Sequence, residues 1–76
     1  MEELLNILKG IRDDIDFENE DSLVDGGLLD SFDVVGLVTE LRDAYDVEFD
    51  VTDLTPENFN SAKAIYELIE RKMNEV

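Results

Sequence analysis

The chain has 76 residues, so it encodes one domain close to the smallest size that supports an independent core. Hydrophobic residues make up 43%, too many for a disordered acidic tail, while six Lys/Arg against 21 Asp/Glu leave a net charge of −15. That field argues against nucleic-acid binding and favours partners with basic patches, and the lack of Cys and His excludes thiolate sites, tetrahedral zinc sites and Ser-His or Cys-His nucleophile pairs.

Taken in chain order, the first apolar series is Leu4, Leu8, Ile11 and Ile15, with Leu5 and Ile7 beside it. This spacing predicts an amphipathic helix from Glu2 to about Ile15. Residues Asp16 to Asp30 then read as a long acidic loop ending in "DGGLL". A loop of that length in so small a domain has to be pinned, and Leu23, Val24, Leu28 and Leu29 are the apolar residues able to pin it. Ser22 to Asp25 suits a short capped turn.

The second helix is expected from about Ser31 to Tyr45, with Asp30 as its N-cap and Asp33 in the first turn, where negative charge suits the helix dipole. At about 100° per residue, Val34, Leu37, Val38, Leu41, Ala44 and Tyr45 share the side expected to face the core. Phe32, Val35, Gly36, Thr39 and Asp43 fall opposite or on the flanks. Two large apolar groups one turn apart on an outer face suggest a docking strip, although Phe32 could equally pack beneath the preceding loop. Thr55-Pro56 reads as N-cap and first position of a short helical turn. A last helix begins near Asn60 or Ser61 and runs to about Met73, with Ala62, Ile65, Tyr66 and Ile69 on one stripe.

Ser31 stands between two aspartates where a helix starts. Asp30 already supplies the cap, so Ser31 is available to project outward, and a helix N-terminus stabilises an attached phosphate through its N–H groups and dipole. With no histidine to activate it, the position suits a phosphorylated or phosphodiester-linked serine better than a catalytic one.

The stretch "GGLLDSFDVVGLVTELRDAYDVEF" resembles the acyl carrier protein family, and the similarity extends over nearly the whole chain. The resemblance implies an all-α fold, a small bundle of three main helices plus one short helix, forming a single phosphopantetheine-binding carrier domain over residues 1–76. It implies that Ser31 carries a 4′-phosphopantetheine arm installed from coenzyme A, with Asp30 just before it, Phe32 where leucine usually stands, and Asp33 following. A protein without cysteine can then hold thioesters, because the thiol arrives on the arm. "FNSAKAIYELI" looks like the family's final helix. Gly36 stands where fatty-acid carriers commonly have glutamate, "LLDSF" is similar to D-alanyl carrier proteins, and "LTPENF" is similar to carriers of specialised pathways.

On that basis the expected function is a stand-alone, non-catalytic carrier of acyl groups, with an aminoacyl or peptidyl carrier as the alternative. Its partners would be a phosphopantetheinyl transferase, an acyl- or aminoacyl-loading ligase, and a downstream acyltransferase or synthase with a basic docking surface. Phe32, Val35 and Thr39 would form the docking strip, with Asp30, Asp33, Glu40 and Asp43 as acidic rim. No apolar run approaches the roughly 18 residues of a membrane span. The opening "MEELLNILKG" is acidic, unlike a signal peptide. A cytoplasmic monomer is expected.

Three other classes compete. An EF-hand beginning at Asp46 would place Val51 where the loop needs glycine, and a β-branched residue resists φ > 0. A carboxylate-pair hydrolase needs a substrate cleft that 76 residues hardly provide. An unmodified acidic adaptor would use Phe32 and Val35 for docking and Ser31 only structurally. Crowding of so many acids should also raise carboxylate pKa values in the folded state, so that stability falls as pH rises.

Overall fold

A computed structural model describes residues 1–74. Among these residues four helices follow one another: α1 (Glu2–Ile11), α2 (Ser31–Tyr45), the short α3 (Pro56–Phe59) and α4 (Ala62–Asn74), with a 3-10 turn at Val51–Asp53. Among the described residues there is no strand, and the architecture is the all-α bundle of three main helices and a short one. The Cα radius of gyration, 11.3 Å, matches the value of about 11 Å for a packed chain of this length.

One core joins all parts of the chain. Leu4 and Leu8 of α1, Leu37 and Leu41 of α2, Phe59 of α3, and Ala62, Ile65, Leu68 and Ile69 of α4 are buried together. The α2 side expected to face inward does so at Leu37 and Leu41, with Val34, Val38 and Tyr45 half-buried against it. Ala44 is the exception and is exposed. Leu37, Leu41 and Tyr45 follow a four-residue ridge, which rotates the buried stripe away from Ala44 by the last turn. On α4, Leu68 joins the stripe that Ala62, Ile65, Tyr66 and Ile69 define.

The first helix ends earlier than its apolar spacing implies, at Ile11 instead of Ile15. Arg12 turns extended, with φ −142° and ψ 106°. Continuing the helix would have set Asp13, Asp14 and Asp16 at its negative end, an unfavourable arrangement. Ile15 is nevertheless buried, delivered by the turn after the helix, and Phe17 joins it in the core.

The long loop is pinned where the sequence indicates. Leu23 and Leu29 are buried and the Leu29 amide donates to the Leu23 carbonyl at 2.8 Å, closing the segment between them. Two glycines make the closure possible. A Cβ on Gly26 would lie 2.5 Å from the Ser22 carbonyl oxygen, and Gly27 has φ +77°, a conformation that side chains resist. Asn60 fastens the loop from outside. Its Oδ1 accepts the Val24 and Asp25 amides, both at 3.0 Å, its Nδ2 donates to Asp25 at 2.9 Å, and its carbonyl accepts the Leu23 amide at 2.9 Å.

Asn60 itself does not belong to α4, which starts at Ala62 with Ser61 Oγ accepting the Ala64 amide at 3.0 Å. Thr55 occupies the N-cap of α3 with Pro56 at the first helical position, but its side chain makes no capping bond. No helix among the described residues is long and apolar enough to cross a membrane.

Candidate functional site

The start of α2 is fixed by reciprocal capping. The Asp33 amide donates to Asp30 Oδ1 at 2.8 Å, and the Asp30 amide donates to Asp33 Oδ2 at 3.4 Å. Asp30 is extended, with φ −95° and ψ −180°, while its carbonyl accepts the Val34 amide at 3.0 Å. Two short carboxylates thus occupy both sides of the first turn, and the residue between cap and turn, Ser31, is exposed as the first residue of α2.

Phe32 does not pack beneath the loop. It is 84% exposed, and Val35, one turn on, is 61% exposed. Thr39 is exposed too, and its hydroxyl donates to the Val35 carbonyl at 3.0 Å, which commits the oxygen to its own helix and leaves the methyl on the surface. Asp30, Ser31, Phe32, Asp33 and Val35 therefore gather around the helix start. Glu40 and Asp43 are exposed further along α2. Asp43 lies twelve positions beyond Ser31, about 18 Å along the axis, and belongs to the distal part of the surface.

Beside Ser31 lies an open cavity of about 270 Å³. Ser31, Val34 and Val35 of α2 line it together with Val24 and Leu29 of the loop, and Leu54, Pro56 and Phe59 close the far side. Its walls are mainly apolar. The sequence carries no direct sign of it, because its two sides are separated by some twenty residues and meet through tertiary contacts such as the bonds of Asn60 to Leu23, Val24 and Asp25.

Arg12 is the second feature that the sequence alone does not single out. Its Nη1 donates to the Leu28 carbonyl at 2.9 Å and lies 3.5 Å from Asp33 Oδ2, while Nε and Nη2 fork onto Asp14 at 3.1 and 2.9 Å. The Asp14 hydrogen bond and charge, with Asp33 adding to them, raise the Arg12 pKa further above its ordinary value. Correspondingly the Asp14 carboxyl is held below the usual range, chiefly by its bond to Arg12. The Asp50 carboxyl is also lowered, first by the Thr52 hydroxyl that donates to it. At these two positions local hydrogen bonds override the crowding expected to push carboxylates upward.

Among the described residues no group of three or more acids is placed to hold a metal ion. A family profile described as the phosphopantetheine attachment site matches residues 2–69. The match spans all three main helices up to Ile69 and the whole of the Ser31 region.

Proposed function

We propose that this chain, which belongs to the phosphopantetheine-attachment family, carries its 4′-phosphopantetheine arm on Ser31 and shuttles acyl groups held on that arm as thioesters between biosynthetic enzymes in the cytoplasm. Domains of this family bind the arm covalently and work with a phosphopantetheinyl transferase and acyl-handling enzymes, which supply the catalysis. Residues 1–76 act as one such domain.

The observation that carries the reading is the division of labour at the start of α2. Asp30 and Asp33 cap the helix between themselves, and Ser31 is left exposed at its first position. A phosphodiester formed on Ser31 Oγ would sit over the first-turn amides and the positive end of a fifteen-residue helix, which favours its negative charge. The chain contains neither histidine nor cysteine to activate Ser31, and the reading assigns the base that accepts its hydroxyl proton to the transferase. The arm supplies the thiol on which cargo is held.

The mainly apolar walls of the cavity beside Ser31 support acyl cargo, with Asp30 the one charged residue that lines it. At about 270 Å³ it falls just below the range of small-molecule pockets, roughly 300 Å³ upward, and so suits at most a short acyl chain. Phe32 and Val35 form the apolar centre of a docking strip that Thr39 extends, with Asp30, Asp33, Glu40 and Asp43 meeting Lys or Arg of the transferase, the loading ligase or a downstream acyltransferase or synthase. Intact mass after incubation with coenzyme A and a phosphopantetheinyl transferase tests the reading. One adduct is expected on the wild-type chain and none on Ser31→Ala; an unmodified wild-type chain would make the protein an acidic adaptor instead.

A further inference from the structure

The peptide group joining Leu28 to Leu29 is held at both ends. Its N–H, on Leu29, donates to the Leu23 carbonyl at 2.8 Å, and its C=O, on Leu28, accepts Arg12 Nη1 at 2.9 Å. Two bonds on opposite edges fix the plane of a peptide that lies just ahead of Asp30. The same Arg12 nitrogen lies 3.5 Å from Asp33, the residue that returns a bond to the Asp30 amide. Arg12 is in turn aimed by Asp14, whose carboxylate takes its Nε and Nη2 in a planar fork. One guanidinium therefore ties the end of α1 to the chain immediately before Ser31 and to the first turn immediately after it.

We propose that Arg12 is a positioning residue for the attachment site, fixing the Leu28–Asp33 segment so that the transferase meets Ser31 in one orientation. The proposal rests on Ser31 being the attachment residue. An ordinary surface ion pair would be a poor candidate, because exposed pairs contribute little. Here the contact to a backbone carbonyl sixteen residues away, not the charge pair, constrains the segment. Only a planar fork reaches Asp14 and Leu28 at once; a lysine ammonium keeps the charge but loses that geometry. The energetic logic is that of a binding-competent fraction. If removing the anchor leaves the segment in its productive arrangement about a tenth of the time, the apparent affinity of the transferase falls about tenfold.

The test compares wild type, Arg12→Met and Arg12→Lys in three measurements: loading kinetics with coenzyme A and a phosphopantetheinyl transferase, thermal unfolding, and amide hydrogen exchange. For Arg12→Met we expect KM for the carrier to rise about tenfold with kcat little changed, and the Leu29 and Asp33 amides to exchange faster. For Arg12→Lys, values between those of wild type and Arg12→Met, or as poor as Arg12→Met, support the anchor. Wild-type KM and exchange in Arg12→Met would overturn it. So would full rescue by lysine, or a loading loss that merely tracks the unfolded fraction at the assay temperature. A wild-type chain that takes up no arm, or takes it up elsewhere, would overturn the Ser31 reading and this proposal with it, an outcome distinct from a loaded wild type with indifferent Arg12 variants.

Discussion

The sequence contains the same four-residue device twice. "DSFD" at residues 30–33 and "DVTD" at residues 50–53 both place aspartates at the N-cap and three positions on, and both form the reciprocal pair of side chain-to-amide bonds. Each exposes one large apolar residue, Phe32 at 84% and Val51 at 85%. Each second aspartate also meets a cation from another part of the chain, Arg12 at 3.5 Å from Asp33 and Lys72 at 2.6 Å from Asp53. The downstream residues differ. After Asp33 comes an apolar pattern of helical period that buries Leu37 and Leu41, whereas after Asp53 come Leu54, Thr55 and Pro56, and the turn stops at three residues. Capping starts a helix, but the burial beyond it decides whether one persists. The two cations differ as well. Lys72 and Asp53 are each only 15% exposed in their side chains and clamp the 3-10 turn to α4; Arg12 is more exposed and reaches the backbone ahead of Ser31.

The largest effect should come from moving the serine between the two devices. Placing Val51→Ser in a Ser31→Ala background gives the second turn the same Asp-Ser pair without a lengthy helix behind it. We expect no arm at position 51 by intact mass, because a three-residue turn supplies no dipole of comparable strength. Loading there at the wild-type rate would show that the Asp-Ser pair alone suffices.

Next in size is the contrast between the two exposed apolar residues. Phe32→Ala should slow loading about 30-fold, the equivalent of losing about 2 kcal/mol of anchor contact, at nearly unchanged melting temperature. Val51→Ala should leave loading within about twofold of wild type, since near-neutral contacts surround an anchor. Equal losses from both would mean that exposure itself, not adjacency to Ser31, determines docking. A large fall in melting temperature for Phe32→Ala would contradict its exposed position.

Lys72→Met removes the clamp on the second device. The pair is largely screened from water, so breaking it should cost about 1–2 kcal/mol and lower the melting temperature by roughly 5–15 °C. Loading by the folded fraction should be unaffected. No change in melting temperature would reduce this contact to an ordinary surface pair.

The smallest effect concerns acid. Asp14 and Asp50 have pKa values below their ordinary 3.8, so between the folded and unfolded values the folded state binds fewer protons. Their contribution is present above the unfolded pKa and fades as pH falls through the lowered one, so below about pH 4 these two groups withdraw a modest stabilisation that opposes the gain from relieved repulsion. Asp50→Asn should flatten that slope slightly. Added salt should raise the melting temperature near neutrality by screening the general repulsion of a −15 chain. An acid slope for Asp50→Asn identical to that of wild type would assign that local bond no role.

Whether a feature is legible in the sequence depends on how far away its cause lies. Asp30, Ser31, Asp33 and the outward Phe32 and Val35 are readable because capping and helical periodicity act within a few residues. Leu23 and Leu29 are readable because a long loop must bury something. The end of α1 at Ile11 is not, since Arg12 leaves the helix toward partners sixteen and twenty-one residues on. Asn60 looks like the start of a helix, yet its amide serves a loop thirty-five residues earlier. The turn at Val51–Asp53 carries a local capping signal equal to that of α2, but no apolar period after it marks an element. The cavity beside Ser31 is lined by residues from Val24 to Phe59 and exists only once the loop, α2 and α3 are packed.

Peptide mapping of the loaded wild-type chain tests the central claim most directly. The chain has three serines, and each sits at a different kind of position: Ser22 in the pinned loop, Ser31 at the exposed start of α2, and Ser61 bonded to the first turn of α4. Digestion and fragment masses should locate a single 4′-phosphopantetheine arm on Ser31 and leave Ser22 and Ser61 unmodified. An arm found on Ser22 or Ser61 would contradict the account.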